Sequence, residues 1–86
     1  RLSYAEGVGE SAFAMYHKAI RTASKTPSNA FTLGKYYDNL GFTYSKVNPR
    51  KGLTYLKKGL QINLSIPDND YWIASCYNNI AAVYTI

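Results

Sequence analysis

Apolar side chains recur at helical spacing along most of this chain. Tyr36, Tyr37, Leu40 and Tyr44 form one such series, and Leu53, Leu56, Leu60 and Leu64 form another. This is the three- and four-residue rhythm of an amphipathic helix. Strand-like alternation is absent over any useful length. Gly7 and Gly9 are expected to break an opening helix that ends near Ala5. A second helix is expected from about Glu10 to Lys25, where Pro27 stops it. Ser28 is placed to cap the next, whose first turn begins at Asn29 and which reaches about Val47. Asn48-Pro49 is the clearest local signal. Asparagine at a cap accepts a hydrogen bond from a free helix amide, and proline at the first helical position lacks the amide that would be orphaned. That helix runs to about Ile66 before Pro67. Asp68 is expected to cap a last helix, in which Asp70 puts negative charge near the positive end of the dipole. The pattern thus predicts a helical remnant and four full helices joined by short turns, hence antiparallel neighbours.

The same pattern returns after 40 residues without gaps. Residues 1–46 laid on 41–86 give seven identical pairs, among them Lys18/Lys58, Asn29/Asn69, Tyr37/Tyr77, Asn39/Asn79 and Tyr44/Tyr84. Other pairs exchange like for like, such as Phe13/Leu53, Ile20/Leu60 and Leu40/Ile80. A period of this length marks a stacked array, which presents an extended surface to a partner more readily than a compact active site. Small residues recur as well. Gly52 and Gly59 answer Ala12 and Ala19, and Gly41 answers Ala81. A glycine inside a helix costs about 1 kcal/mol relative to alanine. Its presence on a recurring stripe predicts that another helix backbone passes close there, with tyrosines filling the spaces alongside.

Two copies of one motif carry a family resemblance. Tyr37-x-x-Leu40-Gly41-x-x-Tyr44, followed by Gly52-x-x-x-Leu56, resembles the tetratricopeptide repeat, and Tyr77-x-x-Ile80-Ala81-x-x-Tyr84 repeats its first half. Ala12-x-x-x-Tyr16-His17-Lys18-Ala19-Ile20 resembles the second helix of a preceding repeat. The family's usual period is about 34 residues. The longer form here, with Asn78-Asn79-Ile80-Ala81, is similar to the repeats of kinesin light chains and of many bacterial regulatory and sensor proteins. The resemblance implies an all-α fold of antiparallel helix-turn-helix units stacked as a right-handed superhelix. Within one domain it divides the chain into a partial repeat 1–27, a full repeat 28–67 and the first helix of a third, 68–86.

In this family the first helix of each hairpin lines the concave face, and ligand contacts flank its Leu-small pair. Carried over, the resemblance implies a peptide-binding set of Lys35, Asp38, Asn39, Phe42 and Lys46 in one repeat and Ser75, Asn78 and Asn79 in the next, with Ser45 and Ala82 beside them. Asn39 and Asn79 admit two readings. An amide offers donor and acceptor together and so bridges an extended peptide backbone. Equally, it hydrogen-bonds a neighbouring helix and fixes packing. Phe42 is either an apolar contact in the groove or a packing residue. Lys35 and Lys46 suit an acidic side chain or a carboxylate, although Ser75 replaces lysine one period on, against a carboxylate clamp for chaperone tails.

Composition narrows the remaining classes. The chain has 86 residues, 47% of them apolar and 17% charged, which is globular in character. No apolar run is long enough to insert in a membrane. The chain opens on Arg1 and is expected to be an excerpt of a longer protein. Cys76 stands alone, so no intrachain disulfide forms, and it reads as a small buried apolar residue. His17 lacks a carboxylate or cysteine partner at useful spacing and reads as a packing or surface residue. Tyr71 and Trp72 are expected to cover a hairpin edge. No catalytic residues, metal ligands or cofactor site are expected, because no paired-carboxylate, Ser-His-Asp, Cys-His or glycine-rich phosphate constellation is present.

The net charge of +5 includes five basic and no acidic residues between Asn39 and Pro67. Either this serves an acidic partner, or it is the solvated outer face of one helix. Nucleic-acid binding is permitted by charge and tyrosine content but disfavoured, since the tyrosines fall on the packing stripe. The expectation is a non-catalytic module binding a peptide or protein segment. The alternative is a regulatory segment of a bacterial histidine kinase or transcriptional regulator. Uncovered end helices also predict self-association. A cytoplasmic setting is slightly favoured, although an extracytoplasmic sensor fits the same residues.

Overall fold

The computed structural model describes residues 4–26 and 29–85, with side chains from residue 12 onward. Four helices follow one another: α1 (Tyr4–Ala23), α2 (Ala30–Ser45), α3 (Pro49–Leu64) and α4 (Asp70–Tyr84). No strand occurs among the described residues. The α2/α3 hairpin has the most extensive contact, α1 packs on α2, and α4 packs on α3 and touches α2 more lightly. The fold is therefore all-α, as the apolar spacing requires.

Most helix ends fall where the local chemistry puts them. Asn48 caps α3, its side-chain oxygen accepting from the Lys51 amide at 3.2 Å, with Pro49 at the first helical position. Several boundaries differ from expectation, among them the end of α2, at Ser45 and not near Val47. Helix α1 runs unbroken through Gly7 and Gly9, because glycine weakens a helix without removing a hydrogen bond. It ends at Ala23, where the Ser24 amide still reaches the Ile20 carbonyl. Asn29 is the residue before α2 and makes no side-chain cap bond, while Ser28 lies outside the described residues.

Further differences lie at the α3–α4 turn. Helix α3 ends at Leu64, two residues short of Ile66, because the residue preceding a proline is disfavoured in helical geometry. Asp68 does not cap α4. It adopts the left-handed backbone conformation, φ 53°, and reverses the chain, leaving Asn69 as the cap residue. The Asn69 side chain then turns back to α3, donating to the Asn63 carbonyl at 3.1 Å and to Asn63 Oδ1 at 2.7 Å. Asp70 does occupy the first turn of α4.

The α2/α3 hairpin closes on glycine. A Cβ on Gly41 would lie 2.7 Å from the Leu56 backbone nitrogen and 2.9 Å from the Gly52 carbonyl oxygen. A Cβ on Gly52 would lie 2.7 Å from Ser45 Cα and 2.8 Å from the Gly41 carbonyl oxygen. Each glycine thus makes room for the other's backbone. Leu40 and Leu56 are fully buried beside this crossing, and Ile20, Leu60, Cys76 and Val83 extend the core toward α1 and α4.

Around the crossing runs a column of rings. Phe13 stacks on Tyr44 at 4.2 Å, Tyr44 on Tyr55 at 5.4 Å, and Tyr55 on Tyr37 at 6.1 Å. His17 meets Tyr44 and Tyr55 edge-on, and its Nε2 hydrogen-bonds the Tyr44 hydroxyl at 3.1 Å. His17 is thus a packing residue that ties α1 to the hairpin. Lys51 and Lys58 lie over Tyr44 and Tyr37, at 4.8 and 5.5 Å from the ring centroids. Such lysines cover apolar rings with their stems and add a cation–π attraction of about 0.5–1 kcal/mol each.

Candidate functional site

Lys35, Asn39, Phe42 and Lys46 follow one another at intervals of four, three and four residues along α2. That spacing places them on one stripe of the helix. Asn39 and Lys46 are exposed, Phe42 is 41% exposed, and Lys35 is half-buried. Both lysines rest on aromatic rings. Lys46 Nζ lies 4.5 Å from the Phe42 centroid, and Lys35 Nζ lies 5.0 Å from Trp72 and 5.8 Å from Phe31. On α4, Asn78 is exposed and Ser75 and Asn79 are half-buried.

The two helices are joined by two cross-links in one register. Phe31 meets Trp72 edge-on at 5.8 Å, and seven residues further along each helix Asn79 Nδ2 donates to Asp38 Oδ2 at 2.8 Å. Asp38 is only 7% exposed. It lies in the seam between α2 and α4 and belongs to the packing, not to the open surface. Asn79 is held by the same bond. Of the two asparagines that the period aligns, the structure gives Asn79 a packing partner and leaves Asn39 open. Tyr71 is exposed while Trp72 is half-buried under Lys35, so only Trp72 covers the edge between α2 and α4.

Asp38 sits in an unusual environment. Its Oδ1 is buried without a hydrogen-bond partner. Burial raises its pKa above the usual 3.8, and the Asn79 bond and the neighbouring Cys76 thiol oppose that rise. The adjacent Cys76 thiol is pushed up to about 11, first by burial and then by the Asp38 charge. It stays a thiol at neutral pH. Asn63 Nδ2 donates both to the Gly59 carbonyl at 2.9 Å and to Cys76 Sγ at 3.4 Å. A buried polar cluster of Asp38, Asn63, Asn69, Cys76 and Asn79 therefore ties α2, α3 and α4 together.

The sequence reading missed this cluster. Asn69 repeats Asn29, but Asn63 answers Ala23 and Cys76 answers Tyr36. Asn69 and Asn79 recur with the period whereas Asn63 and Cys76 do not, so the period does not mark the cluster as a unit. Its one visible trace is a polar residue in the apolar stripe of α3, where Asn63 follows Leu56 and Leu60.

Two grooves lie on other faces of α2. One of about 470 Å³ lies between α1 and α2, and one of about 440 Å³ lies between α2 and α3, beneath Leu33, Tyr37 and Ile62. Among the described residues no three His, Cys, Asp or Glu side chains are grouped to hold a metal ion. No described helix is long and apolar enough to cross a membrane. Comparison with family models, curated proteins and solved structures gives no significant match to this chain.

Proposed function

We propose that the α2/α4 face binds an extended peptide or protein segment, and that the chain is a non-catalytic interaction module of tetratricopeptide type. The observation that carries this reading is the open stripe Lys35–Asn39–Phe42–Lys46 beside Ser75 and Asn78. It combines an exposed ring, a free amide and two cations without a neighbouring carboxylate on the stripe. Phe42 offers apolar area, and Asn39 pairs with a peptide's backbone amide and carbonyl at once. Lys35 and Lys46 stand about 16 Å apart along the helix at 1.5 Å per residue. That span suits a ligand carrying acidic side chains on either side of an apolar one. The motif repeated at Tyr37–Tyr44 and Tyr77–Tyr84 supports the family reading.

The test is a peptide-library pull-down in which acidic-apolar-acidic sequences compete against scrambled ones. Wild type should enrich the former, and Phe42→Ala/Lys46→Ala should lose that enrichment with its thermal melt unchanged. Equal enrichment by the double variant would remove the proposal. Added salt should weaken binding only by the modest factor expected of two exposed charges.

A further inference from the structure

The groove between α2 and α3 is separate from the Lys35–Lys46 stripe. Leu33 and Tyr37 line it from α2, and Thr54, Lys57, Lys58 and Ile62 line it from α3. Two residues along a helix correspond to about 200° of turn, so Leu33 and Tyr37 stand on the opposite side of α2 from Lys35 and Asn39. Both walls belong to the central hairpin, which α1 and α4 flank.

The groove is polar at one end and apolar at the other. Its two helices run antiparallel, with Gly41 beside Gly52 and Gly34 beside Gly59. Tyr37 therefore lies toward Thr54, and Leu33 lies toward Ile62. Side chains lean toward the N-terminus of their own helix, which carries the Lys57 and Lys58 stems back toward the Thr54 end. Lys58 follows this rule, with its ammonium 5.5 Å from the Tyr37 ring centroid. Leu33, Tyr37 and Ile62 are half-buried, whereas Thr54 and both lysines are exposed.

The charge at the polar end is unopposed. No acidic residue lies between Asn39 and Pro67, and the one carboxylate of α2, Asp38, is buried in the seam with α4. Thr54 gives its hydroxyl proton to the Arg50 carbonyl at 3.2 Å, so the two ammonium groups are the donors there. Lys58 already lies over a ring, whereas Lys57 has neither ring nor carboxylate partner among the described residues.

We propose that this groove binds a medium-chain carboxylate, an unbranched acyl chain with its head at Lys57 and Lys58 and its tail toward Leu33 and Ile62. From Thr54 to Ile62 the α3 wall spans about 12 Å at 1.5 Å per residue, which suits an extended chain of octanoate size. The volume of about 440 Å³ falls among small-molecule sites, which run from about 300 to 1,000 Å³. Exposed lysines alone hold an anion weakly. An apolar wall alone accepts any chain. Together, in this order along one groove, they select an amphiphile with a negative head.

The test uses calorimetry and amide chemical-shift mapping of the whole chain, with octanoate, octanol and acetate as probes. Octanoate should bind saturably in the submillimolar range and shift amides within residues 33–37 and 54–62. Octanol lacks the charge and acetate lacks the chain, so each should bind weaker than octanoate by about tenfold or more. Lys57→Glu alters an exposed position and should weaken octanoate by about tenfold while leaving octanol binding and the thermal melt unchanged. Lys35, Asn39, Phe42 and Lys46 take no part, so this inference and the peptide reading can each fail alone. Octanoate that does not saturate, equal affinity for octanoate and octanol, shifts centred outside those two segments, or a Lys57→Glu chain that binds octanoate as wild type does would overturn the proposal.

Discussion

At the scale of single residues, Asp38 is the position where structure and ordinary preference diverge. A carboxylate with one buried, unpartnered oxygen is costly, because a protein interior replaces water poorly around a charge. Its raised pKa means that the folded chain holds this proton more tightly than the unfolded chain. The contribution of Asp38 to stability is accordingly full below the ordinary carboxylate value of 3.8 and is lost as pH rises through the raised folded value. Asp38→Asn removes the charge and keeps an acceptor for Asn79. Urea denaturation near neutral pH should show the variant more stable than wild type by about 1 kcal/mol. The gap should close as pH falls toward the acid range. A variant less stable at neutral pH would mean that the carboxylate is compensated by something other than Asn79. None of this was legible in the sequence. Asp38 occupies the period position of Asn78, and spacing alone does not distinguish an open polar residue from one a neighbouring helix has covered.

At the scale of helices, legibility follows how local the cause is. The cap at Asn48-Pro49 needs only four consecutive residues and was readable in full. The end of α3 and the role of Asp68 were not. They depend on Asn69 reaching back to Asn63, a bond formed only once α3 and α4 are placed. Gly7 and Gly9 mark weak helix, but a break requires competing hydrogen bonds that no residue there supplies. The small-residue stripe was readable, and the structure supplies its distances. Gly41→Ala should destabilise by about 1–3 kcal/mol, because its Cβ would push into the Leu56 and Gly52 backbone and outweigh the gain in helix propensity. Gly59→Ala faces 3.1 Å contacts and should change stability by less than half as much. Thermal melts of the two variants settle the order, and equal losses would mean that the α2/α3 crossing relaxes freely.

For the whole molecule, the 40-residue period was the most informative feature of the chain, and its meaning changes with the structure in hand. It anticipated the all-α fold, the glycine crossing and the packed Tyr37, Tyr44 and Tyr55, but not Tyr77, Ala81 and Tyr84, which are exposed. It also paired Asn39 with Asn79 as equals, which their surroundings do not bear out, since only one of them has a neighbour across the seam. The same lesson holds for the basic run. Lys46, Lys51 and Lys58 each lie over a ring, so those charges are part of how the fold covers its aromatics. Positions that the period makes equivalent do not have equivalent neighbours.

Trp72 has a consequence of an optical kind. It is the only tryptophan, held edge-on to Phe31 with the Lys35 ammonium 5.0 Å above its ring. A ligand on the α2/α4 face that draws Lys35 away changes the field at the indole, and the emission maximum should shift as it binds. Titration with an acidic-apolar-acidic peptide should therefore move the emission maximum in a saturable way, and Lys35→Ala should lose most of that shift. An emission maximum that stays fixed while binding is registered by another readout would show that the peptide does not engage Lys35.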